Sequence, residues 1–188
     1  PVFEILVLDD ASTDDSTQVA ATCQRDWERD ITLSVNDHNS GSVFAQWRQG
    51  IDHARGDLLW IAEADDLATP DFLASLAPRF AATPTLTMAF VDAAQIDGAG
   101  QRLGDSYAAY CGEYSTLDFH RDFSVSGATF LTQGLGVRNT VLNVSGVLFR
   151  REALATALAR VGTELERWTI AGDWRLYCEL CRAGGEVH

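Results

Sequence analysis

The sequence predicts an α/β fold, a mostly parallel sheet with helices on both faces, and three observations lead there. Strand-like and helix-like segments alternate from the start of the chain. The strand-like runs are apolar nearly throughout, as in parallel strands buried on both sides. Each apolar run is about strand length and is broken by charge well before the ~20 residues a bilayer span needs.

In chain order, Phe3-Glu4-Ile5-Leu6-Val7-Leu8 has the length and branching of a buried strand and ends at Asp9-Asp10. Asp14 or Thr13 supplies an N-cap for a helix over 15–29, and 31–35 reads as a second strand. Asn39-Ser40-Gly41-Ser42 forms a turn, followed by a helix over 43–54 with apolar residues at 43, 44, 47, 51 and 54. A third strand spans 57–62. Thr69 as cap and Pro70 at the helix start open a helix over 71–82, and 85–91 is the next strand. Asp97-Gly98-Ala99-Gly100 is a tight turn. The aromatic, Gly-rich stretch 104–143 reads as long loops over a site, with one short helix near 116–123. Residues 144–149 return to strand, 152–160 and 173–182 to helix, and Glu186-Val187 reads as a strand cut off by the chain end.

The 188 residues, 46% of them hydrophobic, suffice for one compact domain with a sizeable core. Fourteen basic residues, all arginine, against 27 acidic ones give a net charge of -13. That balance argues against a nucleic-acid surface, which would carry a basic stripe. An anionic ligand is still compatible where a metal ion, backbone N–H groups or placed arginines invert the field locally. Cys23, Cys111, Cys178 and Cys181 are too few and too irregular for a disulfide scaffold. They fit reduced thiols in a cytoplasmic chain, and Cys178 with Cys181 fits core packing on one helix face. His38, His53, His120 and His188 have no metal-ligand spacing, and Asn143-Val144-Ser145 reads as a chance sequon. Trp47, Trp60 and Trp168 are expected in the core.

Ligands of open parallel sheets collect at the carboxyl ends of the strands. Two acidic groups fall there, Asp9-Asp10 after the first strand and Glu63-Ala64-Asp65-Asp66 after the third, so both are expected to line one crevice. Crowded carboxylates repel unless a cation compensates. An all-oxygen donor set selects a hard ion, Mg²⁺ or Mn²⁺. Acidic residues near turns also cap helices, which is the plain alternative for either group. Asp173, at the start of the last helix, reads equally as an N-cap or as a general base facing the crevice.

These segments resemble family-2 inverting glycosyltransferases. Residues 3–14, Phe-Glu-Ile-Leu-Val-Leu-Asp-Asp-Ala-Ser-Thr-Asp, are similar to the family's second strand and its Asp-Asp-x-Ser-x-Asp turn. Asn39-x-Gly41, then Ala54-Arg55-Gly56-Asp57, then Glu63-Ala64-Asp65-Asp66-x-x-x-Pro70-Asp71 are similar to its central run. Val144-Ser145-Gly146-Val147-Leu148-Phe149-Arg150-Arg151-Glu152-Ala153-Leu154 resembles the acceptor-side strand and helix, and Gly172-Asp173-Trp174 the segment that carries the catalytic base. The four pieces occur in family order over nearly the whole chain.

The resemblance implies a nucleotide-diphospho-sugar transferase fold of the GT-A, Rossmann-like type. Its nucleotide-sugar half would be residues 1–100 and its acceptor half 101–188, the domain being shortened at its N-terminus, where the family's first strand would lie, and at its C-terminus. It implies that Asp10, with Asp9 beside it, accepts a hydrogen bond from the base of a UDP sugar. Asp65 would be the principal metal ligand with Asp66 in support, and Glu63 would lie near the ribose and diphosphate. Asp173 would deprotonate the acceptor hydroxyl, and Trp174 would line the acceptor side. Glu63 stands where the family usually has Asp, and Gly172 where many relatives have Glu. Gln46 stands where a basic residue is common, leaving Arg48 as the nearest candidate to face the diphosphate. The partners implied are a UDP sugar and a glycan or lipid-linked acceptor in cell-surface glycan or polysaccharide synthesis. The place implied is the cytoplasm, at the inner face of the membrane through peripheral association.

Two other readings remain at this point. One is a sugar-nucleotide-binding module without catalysis. The other is a phospho-aspartate receiver or phosphatase, although the chain lacks both the D-x-D after the first strand and the strand-end lysine these need. A nicotinamide dehydrogenase would need G-x-G-x-x-G, which does not occur.

Overall fold

The computed structural model describes residues 4–27 and 30–188, so the strand start expected at Phe3 and the helix end expected at 28–29 lie outside the described residues. Strands β1 (Ile5–Asp9) and β2 (Ile31–Val35) pair in parallel, Ile5 opposite Ile31 and Asp9 opposite Val35. Helix α1 (Ser16–Asp26) connects them. Neither Thr13 nor Asp14 caps it. Asp15 holds the N-cap position without a side-chain bond, while Asp14 Oδ1 accepts from the Ser16 N–H at 3.0 Å in a local turn. Helix α2 (Val43–His53) buries Phe44, Trp47 and Ile51, the stripe its periodicity predicts.

The larger sheet combines β3 (Leu58–Trp60), β4 (Leu86–Phe90), β7 (Val125–Ser126), β8 (Val147–Arg150) and β9 (Glu186–Val187) in the order β3-β8-β4-β9-β7. Strand β9 runs parallel to β4, but β8 is antiparallel to both β3 and β4, and β7 is antiparallel to β9. The sheet is therefore mixed, because an apolar run records burial and not direction. Strand β8 is buried on both faces. Val147 and Phe149 enter a core shared with α2, α6 (Arg151–Val161) and α7 (Gly172–Arg182), and Leu148 enters one with Phe72, Leu76 and Phe80 of α3 (Phe72–Ala82). Helices thus cover both faces, as expected. Fully buried side chains such as Phe149, Leu154 and Leu176 each contribute about 1.5–3 kcal/mol.

The remaining differences are local. Asp71 takes the N-cap position of α3, and Thr69 supplies its carbonyl, which accepts from the Phe72 N–H at 3.1 Å. The Asp97 turn closes a hairpin of β5 (Gln95–Ile96) and β6 (Arg102–Gly104), its Oδ1 accepting from the Ala99 and Gln101 N–H groups. Within 104–143 the helices are α4 (Ala108–Tyr114) and the short α5 (Gly127–Thr129), which runs into a π-type turn at Phe130–Gly134. Residues 116–123 are turns, not helix: Ser115 Oγ accepts from the Leu117 N–H and Asp118 Oδ1 from the His120 N–H, and Phe119 and Phe123 pack on Phe90. The strand expected from 144 begins at Val147, since Asn143 Oδ1 accepts from the Ser145 N–H at 2.7 Å and winds Val144–Gly146 into a 3₁₀ turn. Trp47 is buried as expected and Trp60 packs against the α3 core, but Trp168 is 38% exposed. No helix among the described residues is long and apolar enough to cross a membrane.

Candidate active site

The chain leaves β3 at Trp60 and is pinned there. Trp60 Nε1 donates to the Ser145 carbonyl at 2.7 Å, and the Glu63 N–H donates to Ser145 Oγ at 2.9 Å. The Asp66 N–H donates to the Glu63 carbonyl, closing a turn. As a result, carboxylate oxygens of Glu63, Asp65 and Asp66 lie within 4.8 Å of one another. Two oxygens on opposite sides of one ion at ~2.1–2.4 Å would be about 4–5 Å apart, so three carboxylates this close fit a shared hard cation. Among the described residues none donates a hydrogen bond to these three carboxylates. Burial raises the pKa of Glu63, and the charges of Asp65, Asp66 and Asp173 raise it further.

Asp173 reaches the same place from the opposite end of the chain. It sits in the first turn of α7, and it lines a cavity of about 620 Å³ together with Glu63, Asp65 and Asp66. Its Oδ2 accepts from Asn139 Nδ2 at 2.9 Å. Burial raises its pKa above the ordinary carboxylate range, against the hydrogen bonds of the Trp174 N–H and Asn139. A carboxylate so placed is suited to accept a proton. The chain enters α7 through Ala171, a non-glycine residue in the left-handed region at φ 60°. Gly172 follows for a steric reason: a Cβ there would stand 2.4 Å from the Phe44 ring. Phe44 therefore occupies the space that a glutamate at 172 would need.

The first acidic group is built differently. Asp9 is 8% exposed, and its Oδ1 accepts from the Ser12 N–H at 2.9 Å. Asp10 Oδ1 accepts from Asn36 Nδ2, the Ser40 N–H and Gln46 Nε2 at 2.7, 2.9 and 2.9 Å, and Oδ2 from Ser40 Oγ at 2.7 Å. Burial alone would raise the pKa of Asp10, but the bonds from Ser40 and Asn36 outweigh it and hold the carboxyl below its ordinary range. Neither residue lines the cavity of Glu63, so the expectation of one shared wall fails. Helix α2 lies between them: Gln46 binds Asp10, and Val43, Phe44 and Trp47 wall the cavity.

Two other expected residues are elsewhere. Arg48 is drawn away from the crevice by Glu166, its Nε at 2.6 Å from Oε1, and by the Gly162 carbonyl, which accepts from Nη2 at 2.7 Å. Trp174 packs against the core and donates from Nε1 to the Leu135 carbonyl at 3.1 Å, and it is not part of the cavity wall. Sequence reasoning missed Ser145 and Asn139. Ser145 stood in the Asn143-Val144-Ser145 run and in the segment that resembles the acceptor-side strand; its part here is in the turn that presents the serine hydroxyl to the Glu63 N–H.

A family model described as glycosyl transferase family 2 matches residues 1–156, which include Glu63, Asp65 and Asp66 and stop short of Asp173. No curated protein matches the chain. Among solved structures it is similar to S. aureus TarS residues 1–349, at 15% identity and a TM-score of 0.64, over 98% of this chain and 47% of that one. The same protein in complex with UDP matches with a TM-score of 0.67 at 15% identity, over 98% and 47% of the two chains. In complex with UDP-GlcNAc the TM-score is 0.66 at 14% identity, over 98% and 46%. The chain thus spans less than half the length of these structures, and at this identity the likeness establishes the GT-A fold.

Proposed function

The chain belongs to glycosyl transferase family 2, and on that premise we propose that it moves a sugar, with inversion, from a UDP-linked donor to a hydroxyl of a glycan or lipid-linked acceptor. The observation that carries this reading is the convergence of Asp173 on the cavity walled by Glu63, Asp65 and Asp66. Residues 1–100 supply the nucleotide half and 101–188 the acceptor half. The UDP and UDP-GlcNAc complexes of the TarS structures support a uridine nucleotide.

Asp65 and Asp66 would hold a divalent ion, Mg²⁺ or Mn²⁺, with Glu63 beside them. When bound, the ion offsets the charge that develops on the departing diphosphate. Asp10 Oδ2, which accepts from Ser40 Oγ, is the oxygen offered to an N–H of the base. Ser145 keeps the acidic turn in register with β8, so the carboxylates need little reorganisation. Asp173 takes the proton of the acceptor hydroxyl. That oxygen forms its bond to the anomeric carbon on the face opposite the diphosphate, which leaves with the electrons of the broken bond. One displacement inverts the centre, with no covalent enzyme intermediate. We place this activity in cell-surface glycan synthesis at the cytoplasmic face of the membrane.

Two variants of the full-length protein test the division of labour. Asp173→Asn is expected to leave UDP affinity unchanged and to lower transfer by about 10²–10⁴-fold. Asp65→Ala is expected to remove the metal-dependent part of UDP binding. Equal loss of binding and transfer in Asp173→Asn contradicts the base assignment, and unaltered binding in Asp65→Ala moves the metal elsewhere.

A further inference from the structure

The hydroxyl of Tyr177 is the feature the account above does not use. The residue is 0% exposed, stacks on Phe149 at 6.2 Å between ring centroids, and its hydroxyl has no hydrogen-bond partner among the described residues. A phenylalanine would fill the same space without that orphan group, whose burial costs free energy. Tyr177 is four residues after Asp173 on α7, so the two share one face. Helical side chains lean toward the N-terminus, which aims the phenol at the turn that carries Asp173.

We propose that Tyr177 is a positioning residue whose hydroxyl donates to the Asp173 carboxylate when the crevice is loaded. With Asn139 already donating to Oδ2 and the Trp174 N–H also bonded to the carboxylate, the phenol fixes it from a further side while acceptor capacity remains for the acceptor hydroxyl. Tyr177 does not itself line the cavity; burial raises the pKa of its phenol, and the charges of Asp173 and Glu63 raise it further, so both carboxylates lie within electrostatic reach of it. This inference rests on the reading of Asp173 as the base.

Wild type, Tyr177→Phe and Asp173→Asn are compared in the full-length protein by kcat, KM for the UDP sugar, and Tm. Tyr177→Phe is expected to keep or raise Tm, because the lost hydroxyl makes no bond in this structure. It is expected to leave KM unchanged and to lower kcat about tenfold. A purely structural tyrosine would move Tm and leave the ratio of kcat to KM effects untouched. If Asp173→Asn is inactive and Tyr177→Phe keeps wild-type kcat, the Tyr177 role is overturned and the base stands. If Asp173→Asn retains transfer, the base reading falls and takes the Tyr177 role with it.

Discussion

Two acidic groups stand at strand ends in this molecule, and their surroundings differ in kind. Asp9 and Asp10 are enclosed by donors: five hydrogen bonds, from Ser12, Asn36, Ser40 and Gln46, tie the β1 turn to β2 and α2. Glu63, Asp65 and Asp66 converge within 4.8 Å with no donor from the described residues. The first group is fixed by the fold around it, which also holds Asp10 in place for the base contact proposed above. The second is a cluster of like charges: burial raises the pKa of Glu63, and the neighbouring charges of Asp65, Asp66 and Asp173 raise it further. Composition at a strand end therefore does not say how a carboxylate is held. The donors that face it do: Asp10 is held in place by its neighbours, whereas the three carboxylates of the acidic turn lack donors among the described residues.

The largest effect expected from this contrast is on stability. Asp10→Ala leaves Asn36, Ser40 and Gln46 without their common acceptor and should cost about 2–4 kcal/mol, a fall in Tm of about 5–15 °C. Asp65→Ala should leave thermal stability unchanged or raise it, because it removes a repelling charge. Comparable losses in a thermal melt would erase the distinction. A smaller effect concerns the crevice wall. Gly172→Ala forces a methyl against Phe44, which is 6% exposed and has little room to turn, at a cost of about 1–3 kcal/mol in denaturant unfolding. The smallest belongs to the first turn, where Ala11 is held at φ 60°. Ala11→Gly should gain about 0.5–1 kcal/mol by relieving that strain, and a loss would mean the turn is not strained.

The segments legible in the sequence were those whose burial pattern is local. The Phe44, Trp47 and Ile51 stripe of α2, the alternating strand β2 and the amphipathic helices α6 and α7 all formed within a few residues of expectation. The direction of β8 was not legible, because periodicity reports which faces are buried and not which neighbour a strand pairs with. Residues 116–123 misled for another reason: Ser115 and Asp118 satisfy backbone N–H groups locally, which competes with helix. In the site, the acidic turn and Asp173 could be found by motif and were brought together by the fold. Arg48 could not be placed, since its partner Glu166 is 118 residues away. Asn139 was equally hidden, lying 34 residues from the carboxylate it orients. Family membership disposes of the receiver and phosphatase readings, which the acids after β1 alone left open.

The central claim is that the acidic turn after β3 holds a divalent ion against a nucleotide diphosphate. Calorimetric titration of UDP into the full-length protein, with Mn²⁺ and again after EDTA, tests it most directly. Saturable binding is expected with Mn²⁺, weakening by more than about tenfold on chelation. UDP affinity that is the same with and without the metal would contradict it.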